Sequence, residues 1–247
     1  MKKRTVSILL AAMLVLSMTA CGNSKDQEEQ SNAATQGSEE ETQETTDTSA
    51  EEGNQNAASA QGGSNMLVAY FTYAENADLP DGVDASSSAS IQTWNDEMTG
   101  NTGAVAHMIS EATGADLFSI QTVEKYPDSY DATVDQGQEE ESADARPKLA
   151  THIENLDSYD TIFLGFPNWW GDMPMAMYSF LDEYDLSGKT IVPFVTSGGS
   201  GFSGSISEIE SMESGATVQE GLALRDSGAM NAQNDVNEWL EGLGYLQ

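Results

Sequence analysis

One cysteine in 247 residues, Cys21, excludes an intramolecular disulfide and any cysteine-built metal or nucleophile site. Basic residues are almost as scarce: nine Lys and Arg face 41 Asp and Glu, for a formal net charge of -32. A chain this acidic repels nucleic acid and anionic lipid, so neither is an expected partner. It is attracted to cationic patches on other proteins, although surface acidity also serves solubility alone. The two histidines, His107 and His152, belong to no Ser-His-Asp set, and no metal cluster or paired-carboxylate spacing stands out. His107 reads as packing or surface and His152 as surface. There is no Gly-Lys-Ser/Thr phosphate loop, so ATP or GTP cannot be inferred, and no glycine fingerprint for a nicotinamide.

The apolar stretch at 6–18 is too short to span a bilayer comfortably. It follows Lys2, Lys3 and Arg4 and runs into Met18-Thr19-Ala20-Cys21-Gly22. This resembles a bacterial lipoprotein signal, in which small residues precede a cysteine that is lipidated and becomes the new N-terminus. Met18 stands where such signals prefer Leu. The resemblance implies removal of 1–20, lipidation of Cys21 and an exported chain anchored to the outer face of the bacterial cell membrane. An ordinary secretory signal with Cys21 incidental is the alternative. Residues 22–64 hold ten acidic residues, one lysine, no aromatic and no aliphatic larger than Ala. With nothing to bury, they read as a disordered tether after the lipidated cysteine.

From residue 65 to 247 the composition becomes that of one domain with enough chain for a core. Apolar runs predict strands at 66–72, 115–120, 160–166, 189–195 and 217–224. Helical spacing predicts helices at 104–114, 175–184, 205–212 and 231–243. Residues 73–98 read as a polar insertion, and 121–159 as mostly polar, with Glu139, Glu140 and Glu141 on a solvated helix face. Strand and helix alternate, which predicts an α/β fold with a parallel sheet doubly wound by right-handed crossovers.

In such a sheet, ligands lie at the carboxyl ends of the strands. Thr99, Gly100, Asn101, Thr102 and Gly103 precede the first helix, where free N–H groups, hydroxyls and the helix dipole favour an anion such as phosphate. The same residues also suit an N-cap on an ordinary amphipathic helix. After the third strand, Pro167, Asn168, Trp169, Trp170 and Gly171 offer aromatic faces on a stiff turn. Adjacent tryptophans point in different directions, so one is expected to meet a ligand while the other packs. After the fourth strand, Thr196, Ser197, Gly198 and Gly199 leave the backbone bare enough for a ring to approach. A phosphate cradle, an aromatic wall and a bare floor match the shape of FMN. Tyr126 and Tyr130 either border this site or staple their loop, and the staple is preferred. Gly171, the only glycine in 167–174, is a place where a peptide beside the ligand can reverse.

These pieces resemble a known family. Val68-Ala-Tyr-Phe-Thr72, Thr99-Gly-Asn-Thr102, Tyr159-Asp-Thr-Ile-Phe-Leu-Gly-Phe-Pro-Asn-Trp-Trp170 and Phe194-Val-Thr-Ser-Gly-Gly-Ser-Gly201 look like a flavodoxin-like domain. The resemblance implies a five-stranded parallel sheet of order 2-1-3-4-5 with bound FMN. It further implies that Thr72, Asn101 and Thr102 serve the phosphate, Pro167 to Trp170 wall the flavin, and Thr196 to Gly199 contact the ring edge. Simple members place the hydroxylated end of strand one directly against the Thr-Gly-Asn-Thr turn, whereas here 73–98 intervenes. The expected function is electron handling by a membrane-tethered FMN protein, either as a carrier to a redox partner protein or as a reductase of a small acceptor such as a quinone. A solute-binding lipoprotein and a flavodoxin-like interaction domain without flavin are the alternatives.

Overall fold

The computed structural model describes residues 65–79 and 90–246. The leader at 1–20, Cys21 and the acidic stretch at 22–64 lie outside the described residues. Strand β1 (Met66–Tyr70) leads into a 3-10 turn at Tyr73–Glu75 and then a hairpin of β2 (Ile91–Trp94) and β3 (Glu97–Gly100). Helix α1 (Asn101–Thr113), β4 (Asp116–Ser119) and α2 (Tyr130–Ser142) follow. Then come β5 (Thr161–Pro167), α3 (Met175–Glu183) and β6 (Thr190–Ser197). Helix α4 (Ser205–Met212), β7 (Thr217–Val218), β8 (Leu222–Arg225) and α5 (Gln233–Leu243) complete the order.

The main sheet runs β4-β1-β5-β6, with β7 and β8 both on the far edge of β6, and every pairing is parallel. This is the 2-1-3-4-5 order once β7 and β8 are taken as one position. The fifth strand is broken, contrary to the continuous 217–224 expected. Gln219, Glu220 and Gly221 separate a half that pairs with Thr190 and Ile191 from one that pairs with residues 194–197.

Alternation along the buried strands assigns the two faces. Leu67, Ala69, Phe71, Ile162, Leu164 and Phe166 pack with α3 and with Ile209 of α4. Val68, Tyr70, Phe163, Val192 and Phe194 pack with Val105 and Ile109 of α1 and with Val236 and Leu240 of α5. Both faces of the sheet are therefore covered, which is why β5 and β6 read as nearly unbroken apolar runs. Each fully buried side chain of this size contributes roughly 1.5–3 kcal/mol relative to exposure.

The insertion is more ordered than its composition predicts. Its hairpin turns at Asn95 and Asp96, both with positive φ (49° and 69°), the conformation of a two-residue type I′ loop. Trp94 ties the hairpin to α1, stacking on His107 at 5.7 Å and 12° and donating to Glu111 at 3.2 Å. Thr99 and Gly100 thus end a strand that runs straight into α1; they do not form a separate loop. Among the described residues, no helix is long and apolar enough to cross a membrane.

Candidate functional site

The carboxyl ends of β1, β5 and β6 open onto a cavity of about 250 Å³. Of the residues expected to bind cofactor, Pro167, Asn168, Trp169, Trp170, Thr196, Ser197 and Gly198 line it. Tyr73, Ser90, Tyr130, Thr133, Val134 and Asp226 complete the lining. Thr72, Thr99, Gly100, Asn101, Thr102, Gly103, Gly171 and Gly199 do not line it, but most are bonded or packed to residues that do.

The insertion does not separate Thr72 from the phosphate-type turn. A Cβ on Gly100 would lie 1.8 Å from Thr72 Oγ1 and 2.7 Å from the Ser90 carbonyl, so only glycine lets these chains meet. Thr72 is held there by Asn76, a fully buried side chain whose amide donates to the Thr72 and Ile120 carbonyls and accepts from Thr122. Gly100 offers α1 no side-chain cap, while the Asn101 N–H is taken by the Ser90 carbonyl at 3.1 Å. The start of α1 therefore keeps its dipole without a capping carboxylate or hydroxyl from its N-cap residue.

The hydroxyls of the turn are used differently from the sequence expectation. Thr102 Oγ1 meets Thr196 Oγ1 at 2.7 Å in a buried pair, joining the start of α1 to the end of β6. Thr99 Oγ1 donates to Glu75 at 2.6 Å, away from the cavity lining. Glu75 also accepts from Tyr70 and Ser119, so one carboxylate gathers β1, β4 and the turn. Burial, reinforced by that carboxylate, pushes the Tyr70 phenol well above its ordinary range and keeps it a donor. Gly103 packs against Thr99 and Glu75 and serves the turn's shape.

The aromatic wall is a tight turn. Trp169 and Asp172 exchange both backbone hydrogen bonds at 2.9 Å, and Trp170 and Gly171 between them have φ of 52° and 94°. Positive φ is costly for a bulky residue such as Trp170, of order 1–3 kcal/mol. Gly171 supplies the positive φ that closes this turn. Asn168 locks the arrangement, accepting from the Gly171 N–H and donating to the Gly201 carbonyl and to Ser203. Both tryptophans line the cavity. Trp169 sets its ring nearly perpendicular to Phe71 and Tyr126, while Trp170 is 45% exposed.

Tyr126 is the staple expected of it, buried and donating to Glu140; burial and that carboxylate raise its phenol well above the usual range. Tyr130 is not a staple. It stands 69% exposed at the start of α2 and borders the cavity. In the floor, Ser197 Oγ accepts from the Gly199 and Gly201 N–H groups, and Gly199, at φ 133°, lies against Arg225. Asp226 brings the one charged side chain of the lining, with no lysine or arginine among those residues. Sequence reasoning missed Asp226, Ser90, Tyr73, Thr133 and Val134. Tyr73 is the only one whose position, directly after the first strand, signalled a place at the rim. His107 and His152 are not in the lining; His152 bonds Glu183 at 2.6 Å on the surface. Among the described residues, no group of His, Cys, Asp and Glu is placed to hold a metal.

No curated protein matches this chain. Among solved structures, it is similar to a protein assigned as a flavoprotein from Bacteroides uniformis, at 28% identity over 72% of this chain and 99% of that one, with a TM-score of 0.55. A Bacteroides eggerthii protein assigned likewise is 26% identical over 72% and 97% of the two chains, with a TM-score of 0.56. A flavoprotein from Lactobacillus acidophilus, crystallised in complex with FMN, is 18% identical over 68% and 97%, with a TM-score of 0.46. A family model described as Flavodoxin matches residues 95–243, more than half of the sequence, and the chain belongs to the flavodoxin family.

Proposed function

We propose that the chain binds one FMN in this cavity and handles electrons with it. The observation that carries the reading is the convergence of three loops on one cavity at the carboxyl edge of the sheet. The residues present fit the group. The uncapped start of α1 suits a phosphate, and Trp169 and Trp170 offer a wall for a flat ring. Ser197 and Gly198 offer backbone beside it.

FMN bound there would supply reversible one- or two-electron chemistry. The protein's part is to bind, orient and shield. No lysine or arginine stands among the described lining residues, though Arg225 donates to the Gly198 carbonyl beside them, so the phosphate would rest on N–H groups and the helix dipole. Exposed Tyr130 and Trp170 leave the rim open to an electron partner, which we take to be a redox protein or a small acceptor such as a quinone. The basic, apolar and Cys-terminated leader supports export and lipid anchoring at Cys21 on the outer face of the cell membrane. The test is the absorption spectrum of the purified full chain, with chromatography of whatever denaturation releases. Bands in the blue and near ultraviolet and a released FMN support the reading; a folded, colourless chain that takes up no FMN overturns it.

A further inference from the structure

The side chain of Asn101 is an amide at the first position of α1, and its two ends are opposite in kind. An NH2 group turned to an anion stabilises it, and a carbonyl turned the same way repels it. Asn101 is 4% exposed. Its Oδ1 accepts from Gln92 Nε2 at 2.8 Å, and its Nδ2 has no hydrogen-bond partner among the described residues. Gln92 lies on β2, outside every element that the sheet requires. The geometry points to Gln92 as a positioning residue that holds the Asn101 amide with its NH2 end free for the phosphate of the ligand. The inference rests on the FMN reading above.

The hairpin keeps its place without this contact. Trp94 stacks on His107 and bonds Glu111, and the Ser90 carbonyl accepts from the Asn101 N–H. A change at residue 92 therefore alters the amide's orientation and leaves the hairpin docked. The insertion then has a role in recognition: it makes the turn selective for a phosphorylated ligand over the same ring without phosphate.

The experiment titrates the full chain with FMN and with riboflavin, which has no phosphate. It compares wild type, Gln92→Glu, Asn101→Ala and the double variant. A carboxylate at 92 can only accept, so it draws the Asn101 NH2 to itself and presents Oδ1 to the phosphate. The expected result for Gln92→Glu is about ten- to hundredfold weaker FMN binding, the range of a charge-assisted hydrogen bond. Riboflavin binding stays unchanged. With Ala at 101 the added effect of Gln92→Glu shrinks, because no amide is left to reverse. An equal loss in both backgrounds would show that the new charge alone acts, and would overturn the inference. So would equal weakening of both ligands, or no weakening of either. A folded wild type that binds no FMN overturns the FMN reading and the inference with it. A wild type that binds FMN with Gln92→Glu unchanged overturns the inference alone.

Discussion

Replacing Thr102 by Val removes one hydroxyl and little else, because the two side chains are nearly isosteric. Thr102 is 1% and Thr196 3% exposed, and their oxygens lie 2.7 Å apart. In Thr102→Val the Thr196 hydroxyl is left buried without this partner, at a cost of about 1–2 kcal/mol. For a domain of this size that corresponds to a fall in Tm of roughly 2–8 °C. Thr196→Val should cost about the same, because it orphans the other end of the same bond. The double variant removes both ends, and such paired replacement is nearly neutral. The two losses are therefore strongly non-additive, with a coupling close to their sum, about 2–4 kcal/mol, in a double-mutant cycle read by urea unfolding. Strictly additive losses would refute the pairing. On the ligand side, Thr102→Val is expected to weaken FMN more than riboflavin, since the residue sits in the first turn of α1. Equal weakening would place the phosphate elsewhere.

Gly100→Ala puts a methyl within 3 Å of both Thr72 Oγ1 and the Ser90 carbonyl, so it should destabilise the fold by several times what an ordinary surface change does, as thermal unfolding would show. An unchanged Tm would contradict the close approach. Burial, helped by Asp185 and Asp182, raises the Glu213 carboxyl above its unfolded value, although it accepts the Leu186 N–H at 3.1 Å. Its protonated form is favoured in the folded chain, so stability falls as pH rises through that region, and Glu213→Gln is expected to raise Tm at neutral pH. The gain should fade as pH drops below the ordinary Glu range and vanish below about pH 3, where Glu is protonated in both states; a gain independent of pH would refute this reasoning. A chain beginning at Asn65, whose carbonyl and side chain bond Asp160, should unfold at the same denaturant concentration as the longer chain. A clear loss would show that the acidic stretch packs on the domain.

The parts of the fold legible in the sequence were those with a strong burial signature. β5 and β6 are covered on both faces, and their apolar runs announce it. The hairpin escaped because Thr93, Glu97 and Met98 face solvent, so no buried stripe marks it. Its usable signal was local: Asn95-Asp96 between β-forming residues is a two-residue turn. Helix α2 buries little more than Thr133 and Gly137, and its acidic sequence read only as a solvated face. At the site, the loop composition pointed to Trp169, Trp170, Thr196, Ser197 and Gly198, which line the cavity. What it could not convey was which hydroxyl bonds which neighbour. Thr99 turns to Glu75 because the insertion brings that carboxylate beside the turn, a contact 24 residues apart. Asp226 enters the lining because β8 is set against the end of β6, and only the broken fifth strand explains that position.

We propose the three-loop cavity as the site for a phosphorylated flavin. The most direct measurement is a fluorescence-quenching titration of the ligand-free full chain with FMN and with riboflavin, run side by side. One FMN bound per chain, with riboflavin markedly weaker, is the result expected from an uncapped helix start beside an aromatic wall. A folded chain that binds neither ligand, or binds both equally well, would contradict it.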